Sequence, residues 1–174
     1  DDLAQRNHAV GLTNLAGVLN ARGDPAAALD SYKSAFLIYD KLLQKNPTQV
    51  TAQRDIELIN DRLGDIFVSL GKLDAAIAVQ RTAVSIAQRL AAAMPDDPLA
   101  QRDLAVAENK VGTSLAAQGD IAGARASREK LLALVTKLAA SDPDSAQAQR
   151  DLAIGHSLLA DILSTQGDAA GALE

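Results

Sequence analysis

The sequence predicts an all-α fold, an α-α superhelix (solenoid) of stacked antiparallel helix hairpins. The dipeptide Gln-Arg recurs four times at a 48-residue step, beginning at positions 5, 53, 101 and 149. Glycine keeps the same step at Gly23, Gly71, Gly119 and Gly167. Proline does so at Pro47, Pro95 and Pro143. A fixed period of this kind indicates one supersecondary unit copied along the chain.

The period also predicts the domain organisation. We expect one repeat domain over residues 1–174, with repeats at 1–46, 47–94 and 95–142 and a truncated copy at 143–174. The chain opens and closes inside a repeat, so we expect it to belong to a longer polypeptide. No charged, apolar and small-residue order typical of a signal peptide occurs at its start. We expect a cytoplasmic location, and any targeting segment would lie upstream.

The first half of each repeat predicts a helix, which we name helix A. In the second copy its apolar residues recur at three- and four-residue steps: Ile56, Ile59, Leu63, Ile66, Phe67 and Leu70. That spacing is the stripe of an amphipathic helix. Gly71 follows, and glycine at this place is typical of a left-handed C-terminal cap. Helix A should therefore end at the repeating glycine.

A second helix, helix B, is expected after each glycine. Asp24, Asp120 and Asp168 follow the glycine in three copies and suit an N-cap. The second copy has Lys72 there, so Asp74 is the expected cap. Its buried face should hold Leu73, Ala76, Ile77, Ala83, Val84, Ala87, Leu90 and Ala91.

Proline ends helix B and begins the next repeat. Helix B should stop near Met94, because Pro95 disfavours helical geometry in the residue before it. Asp97 and Pro98 then suit the N-cap and first residue of the next helix A. Two helices of about 20 residues per repeat follow, each about 30 Å long.

Composition and charge exclude several classes of protein. With no cysteine, the chain has neither a disulfide framework nor a thiolate metal site. A net charge of −5 disfavours nucleic acid or an anionic membrane as the partner. No apolar run approaches the ~18 residues that a membrane span needs.

Residues inside the hairpin carry a family resemblance. The second copy reads Leu63-Gly64-x2-Phe67-x3-Gly71-x4-Ala76-x6-Ala83, which resembles the tetratricopeptide-repeat (TPR) signature, and the other copies keep the pattern in phase. The signature's tryptophan is replaced by Leu12, Asn60, Glu108 and His156. The aromatic residue of helix B is kept as Tyr32, with Gln80 and Arg128 at the same step.

The repeat is longer than the family's. A TPR unit has about 34 residues, so each copy here carries about 14 more, close to four helical turns. Two extra turns in each helix preserve the phase of the apolar stripe. The chain thus resembles the long-helix TPR variety found in bacterial multidomain proteins.

The resemblance implies a non-catalytic scaffold that binds a protein or peptide in a groove lined by helix A. Carrying the family's inner positions across gives the candidate binding residues Asp61, Arg62, Asp65, Asn109, Lys110, Thr113, Ser157 and Asp161. The alternative is a regulatory or sensor repeat domain that packs on an effector domain of the same polypeptide. Of the positions that clamp a carboxylate in chaperone-binding TPRs, only Lys110 keeps its charge, so that activity is not expected.

No enzyme, metal site or cofactor site is expected. His8 and His156 occupy slots held by packing residues in other copies, lie far apart in the repeat and lack metal-ligand spacing. Helix B of the third copy is basic, with Arg125, Arg128 and Lys137 among its residues, and we interpret this as a solvated face.

Two further features predict contacts between helices. Mid-helix glycine is unfavourable by about 1 kcal/mol relative to alanine, so Gly64 and Gly112 should each meet a close neighbour, for which the repeating Ala76 and Ala124 are expected. The arginines of the Gln-Arg pairs are Arg6, Arg54, Arg102 and Arg150. They form either an anion-binding strip or, as we favour, a ladder that pairs with the aspartates Asp55, Asp103 and Asp151 of neighbouring repeats.

The truncated fourth copy predicts self-association. About one turn of its helix B is present, so its helix A lacks much of the cover that the earlier copies have. The apolar residues concerned are Ile154, Leu159, Ile162 and Leu163. We expect this end to pack against another molecule.

Overall fold

The computed structural model of the protein describes residues 1–165 and Gly167. This part of the chain forms seven α-helices and no strand. They are α1 (Asp2–Ala21), α2 (Pro25–Lys45), α3 (Val50–Ser69), α4 (Leu73–Ala93), α5 (Pro98–Gln118), α6 (Ile121–Ser141) and α7 (Ala146–Thr165). The predicted alternation of helices A and B is confirmed. Helix B of the fourth copy, with its cap Asp168, lies outside the described residues.

The chain divides into two compact units, Asp1–Ile86 and Ala87–Glu174. In the first unit, α1 and α2 form a hairpin and α3 packs against α2. The ion pair between Lys45 Nζ and Asp2 Oδ1, 2.6 Å long, joins the end of α2 to the start of α1, as antiparallel helices require. In the second unit, α5 and α6 form the hairpin and α7 packs against α6.

The predicted helix ends are confirmed at the repeating glycines and aspartates. Gly71 and Gly119 have φ of 69° and 92°, in the left-handed region that favours glycine. Asp24 Oδ1 accepts a hydrogen bond from the Ala27 amide at 3.0 Å, and Asp120 Oδ1 accepts one from the Gly123 amide at 2.9 Å. Each aspartate therefore accepts a hydrogen bond from a backbone amide in the first turn of helix B that has no acceptor within the helix.

Two local predictions in the second copy are wrong. Helix α4 begins at Leu73, so Asp74 lies inside its first turn and is not the cap. The Ala76 amide donates a 3.0 Å hydrogen bond to the Lys72 carbonyl, so the hydrogen bonds of α4 already begin at Lys72. Leu70 follows the last residue of α3 and is 41% exposed, so it does not continue the buried stripe.

The core consists of small and aliphatic side chains. Four members of the predicted α3 stripe are buried: Ile56, Ile59, Leu63 and Ile66. The predicted face of α4 is buried from Ala76 to Ala91, and Leu73 is half-buried. In the second unit, Ala105, Leu131 and Val135 form a cluster of buried residues. The apolar stripes predicted from spacing are thus the surfaces that pack.

The mid-helix glycines do meet close neighbours, and Ala124 is one of them as predicted, but the nearest atoms belong to Gln80 and Ser127. A methyl group on Gly64 would lie 2.7 Å from Gln80 Cγ, one turn beyond the predicted Ala76. On Gly112 it would lie 3.1 Å from Ser127 Cβ and 3.5 Å from the Ala124 carbonyl oxygen. Each glycine therefore makes room for a larger residue of helix B.

Candidate functional site

In the second unit, the candidate residues lie on one face of α5 and one face of α7. On α5, Thr113 lies three residues after Lys110 and four after Asn109, and on α7 Asp161 lies four residues after Ser157; residues at such spacings are neighbours on a helix. Asn109 and Lys110 are half-buried, whereas the other three are exposed. These five residues are named the second-unit strip.

Arg128 of α6 reaches across its hairpin to this strip. Its Nη1 donates to Asn109 Oδ1, and its Nη2 donates to Thr113 Oγ1 at 2.7 Å. The side chain is 5% exposed, so its interpretation as part of a solvated face is wrong. Gly112 provides the physical reason, because a side chain there would lie 3.5 Å from Arg128 Nε.

The guanidinium group of Arg128 is largely shielded from water. Burial lowers the pKa of its guanidinium, and the carboxylate of Asp161 offsets part of that lowering. The buried Nε makes no hydrogen bond. A guanidinium remains protonated at neutral pH in such a setting. The second-unit strip therefore surrounds a fixed positive charge.

The rest of the basic helix behaves as predicted where contacts are described. Arg125 Nε pairs with Glu129 Oε1 at 2.8 Å, and both side chains are about half exposed, at 41% and 51%. Lys130 Nζ lies 3.4 Å from Oε1 of Glu108, which is a buried residue of α5. Lys137 is exposed.

The burial of Arg128 could have been inferred from its position in the repeat. Tyr32, Gln80 and Arg128 are 48 residues apart, and all three are buried. Gln80 faces Gly64 and Arg128 faces Gly112, at equivalent places of two hairpins. A helix B residue opposite a helix A glycine is thus a buried position, whatever its polarity.

In the first unit, the candidate residues Asp61, Arg62 and Asp65 all lie on α3. Arg62 Nη1 and Asp65 Oδ2 are 3.9 Å apart, with side chains 54% and 43% exposed. A pair this long and exposed is screened by water and contributes little to stability. Both charges therefore remain hydrated and accessible on this surface.

Each of these faces also exposes one large aliphatic residue. Leu58, Val106 and Ile154 stand 48 residues apart on α3, α5 and α7. They are 43%, 43% and 46% exposed. Each lies one turn before the first polar candidate of its own helix, so that an apolar and a polar group are neighbours in these three copies.

The Gln-Arg pairs have a structural role in both units. Arg6 Nε pairs with Asp55 Oδ2 at 3.0 Å, and Arg102 Nε with Asp151 Oδ2 at 2.9 Å. The favoured interpretation of the arginines as a ladder between repeats is confirmed for these two pairs. The Asp55 carboxylate also acts on Tyr39. Burial, and then this carboxylate, raise the pKa of Tyr39 to about 12.

The glutamines of the pairs fasten the loops between repeats. Their Nε2 atoms donate to the proline carbonyl six residues earlier: Gln53 to Pro47 at 2.6 Å, Gln101 to Pro95 at 3.4 Å and Gln149 to Pro143 at 3.1 Å. These glutamines therefore brace the loop that opens their own repeat, whereas Arg6 and Arg102 pair with an aspartate of the next repeat.

Both histidines lie at the surface. His8 and His156 are exposed, whereas Ile56, Asn60 and Glu108 hold the same places in other copies and are buried. Within residues 1–165, no three His, Asp or Glu side chains are grouped to hold a metal ion. No helix in that range is both long and apolar enough to cross a bilayer.

Comparison with known proteins agrees with the repeat pattern. Residues 59–89 match the family model for the tetratricopeptide repeat. BtubC (BKLC) from P. vanneervenii has a similar fold, with a TM-score of 0.69 and 20% identity over 92% of this chain. This chain corresponds to 57% of that protein's length.

More distant structures include MamA from Desulfovibrio magneticus RS-1, with 17% identity, a TM-score of 0.40 and coverage of 95% of this chain and 89% of that one. No curated protein matches. The match over residues 59–89 and the fold shared with BtubC confirm the predicted resemblance to tetratricopeptide repeats, and the fold is an all-α helical-repeat solenoid.

Proposed function

We propose that the chain is a non-catalytic scaffold that binds a protein or peptide along the exposed faces of its A helices. Folds of the TPR type generally serve as protein-interaction scaffolds and not as enzymes. The observation that carries the proposal is the recurrence of Leu58, Val106 and Ile154 as exposed aliphatic residues at one register position. Single exposed aliphatic residues are ordinary, but burial of the core does not require the same one in three copies.

The surroundings of these residues suit a peptide. Beside Val106 lie the amide of Asn109 and the hydroxyl of Thr113, both oriented by Arg128. An extended peptide offers backbone donors and acceptors together with side chains, and grooves that bind it combine apolar anchor sites with polar groups. Val106 and the second-unit strip together supply both kinds of contact.

The charges of the two units suit protein better than nucleic acid. Arg62 and Asp65 mix both signs on α3, and Asp161 stands beside the charge of Arg128 on α7. A phosphate backbone is bound by a surplus of Lys and Arg, whereas the chain carries a net charge of −5. A partner protein with mixed charges is therefore the better complement.

Selection of peptides tests the proposal. Peptides that bind the immobilised chain are isolated from a random displayed library, and their affinity is measured by fluorescence anisotropy. We expect Val106→Asp to weaken binding by about ten-fold or more, as loss of a central apolar anchor does. Leu37→Asp, at a 60% exposed leucine of α2, which is a helix B, is the matched control and should leave the affinity unchanged.

Mapping of the bound peptide gives a second readout. Amide shifts should change around Asn109 and Thr113 before they change around Lys137 of α6. Peptides that bind Val106→Asp as tightly as the parent chain, or that shift only the α6 residues, would contradict the proposal.

A further inference from the structure

An open cavity of about 380 Å³ lies among α2, α3 and α4 of the first unit. Its walls are Lys33, Phe36, Leu37, Asn60, Leu63 and Val79. Pockets that take small molecules have volumes of about 300–1,000 Å³ and mostly apolar walls with a few polar groups. Four of these six residues are apolar, so this cavity has both properties.

The cavity is separate from the candidate binding face of α3. Asn60 and Leu63 line it, whereas Asp61 and Asp65 belong to the other surface. At about 100° per residue, the two pairs point to nearly opposite sides of the helix. A ligand in the cavity is therefore not the partner proposed for the A helices.

One cation and one amide are the polar groups of the wall. The Lys33 amine is 3.9 Å from Asp30 Oδ1, and the two side chains are 60% and 82% exposed. Strong charge-assisted bonds are about 2.7–2.9 Å long, so Asp30 satisfies the amine only weakly. Asn60 is 4% exposed, and its Nδ2 donates to the Ile56 carbonyl at 2.9 Å, which holds the amide in place.

The combination of residues in this cavity is particular to the first repeat. One repeat later the place of Lys33 keeps a cation in Arg81, whereas Phe36 and Leu37 are replaced by Val84 and Ser85. Two repeats later, the places of Lys33, Phe36 and Leu37 are held by Glu129, Leu132 and Ala133. The charge is reversed and the exposed leucine is reduced to a methyl group. Contacts that build the repeat recur at every step, as the Gln-Arg pairs do, so packing of the repeat does not require this combination.

The exposure of Leu37 is a further sign of a binding surface. Its side chain is 60% exposed, although it stands next to the apolar walls formed by Phe36 and Leu63. Covering an exposed leucine is favourable by about 25 cal/mol for each Å² of apolar area removed from water. An apolar group in the cavity would gain this contact without any rearrangement of the helices.

We propose that this cavity binds a small amphipathic anion, with a short alkyl chain or single ring and one carboxylate. The apolar part lies against Phe36, Leu63 and Val79, and Leu37 closes over it. The carboxylate pairs with Lys33 at the mouth. A cationic ligand would be repelled by the charge of Lys33, and an uncharged ligand would form no ion pair with it.

Calorimetric titration with three eight-carbon probes tests the charge and the apolar wall separately. Octanoate, octan-1-ol and octylammonium are added to the whole chain below their micelle-forming concentrations. We expect octanoate to bind with one-to-one stoichiometry, octanol more weakly and octylammonium least. Leu63 and Val79 methyl shifts should change on addition of octanoate.

Three variants decide the outcome. Leu37→Asp should lower the affinity for octanoate by at least about ten-fold, because it places a charge on the apolar wall. Lys33→Glu should lower it by about two- to five-fold, as expected for an exposed ion pair, and should reverse the preference between octanoate and octylammonium. Leu3→Asp, at a 63% exposed leucine of α1, is the matched control and should bind octanoate as the parent chain does.

Circular dichroism shows that each variant keeps its helices before it is titrated. Absence of saturable octanoate binding, or binding that survives Leu37→Asp, overturns the cavity as the site. Equal affinity for octanoate and octylammonium overturns the anion as the ligand.

Discussion

The close contact between α3 and α4 at Gly64 makes a quantitative prediction about the stability of the first unit. In Gly64→Ala the new Cβ would lie 2.7 Å from Gln80 Cγ and 3.1 Å from Gln80 Cδ. Carbon atoms pack at about 3.5–4.0 Å, so the two helices or the glutamine must move by nearly 1 Å. Gln80 is 2% exposed, and Cγ is close to the backbone, so the side chain has little room to turn away.

Two opposing effects determine the magnitude. Alanine is more favourable than glycine in a helix interior by about 1 kcal/mol. Overpacking of a filled core is unfavourable by about 1–3 kcal/mol. We therefore expect Gly64→Ala to lower the free energy of unfolding by about 0–2 kcal/mol. In the Gln80→Ala background the contact is gone, and the same change should raise the free energy of unfolding by about 1 kcal/mol.

Urea denaturation of the four chains in this double-mutant cycle measures the coupling between the two residues, expected to be about 1–3 kcal/mol. Circular dichroism at 222 nm reports all helices. Tyr32 and Tyr39 are the only tyrosines of the sequence and both lie on α2. Their near-ultraviolet signal therefore reports the first unit alone.

Gly11 provides the control for helix propensity. It lies in the interior of α1, and a Cβ there would meet nothing within 4 Å. Gly11→Ala should therefore raise the free energy of unfolding by about 0.5–1 kcal/mol. If Gly64→Ala were stabilising by the same amount in the parent chain, the close packing of α3 on α4 would be refuted.

Further predictions concern the core, the ladder and alkaline pH. In urea melts, Leu63→Ala should lower the free energy of unfolding by about 2 kcal/mol, the lower end of the range for a buried leucine, because Leu63 borders a cavity. Leu131→Ala should lower it by about 4 kcal/mol. A loss below about 1 kcal/mol for Leu63→Ala would mean that the apolar stripe lies on the wrong face. Asp55→Asn should cost about 1–2 kcal/mol, since the Asp55 carboxylate also lies close enough to the buried Tyr39 hydroxyl to raise its pKa, and Asp151→Asn less than about 1; equal costs would contradict this role of Asp55. Because folding raises the pKa of Tyr39 to about 12, from an unfolded value of about 10, its contribution is complete below pH 10 and is lost as the pH rises towards 12. Melts of Tyr39→Phe across this range should lack that loss, and identical profiles for both chains would contradict it.

The helices and their limits could be predicted from the sequence because the physical causes are local. A residue with positive φ favours glycine wherever the helix ends, so Gly71 and Gly119 marked the turns. Pro95 and Pro98 restrict only themselves and the residues beside them. The prediction at Asp74 was wrong because α4 begins one residue earlier, at Leu73, with the first backbone hydrogen bond accepted by the Lys72 carbonyl.

The candidate site was predicted in part. The faces of α3, α5 and α7 follow from helical spacing, so Asn109 and Thr113 could be placed on one face of one helix. Their hydrogen bonds to Arg128 could not be predicted, since they depend on how α6 is rotated against α5. Whether the partner proposed for these faces binds there stays a prediction, as does association through the fourth copy.

The sequence by itself determined the period, the alternation of two helices and the apolar stripe of each, because these depend on residues within a turn or two of one another. Only the tertiary structure decided that Arg128 is buried, that Gln80 is the nearest neighbour of Gly64, and that a cavity opens beside Leu37. Each of these depends on the distance and rotation between two packed helices. A glycine in one helix leaves space for a side chain, and the residue that occupies this space belongs to the facing helix.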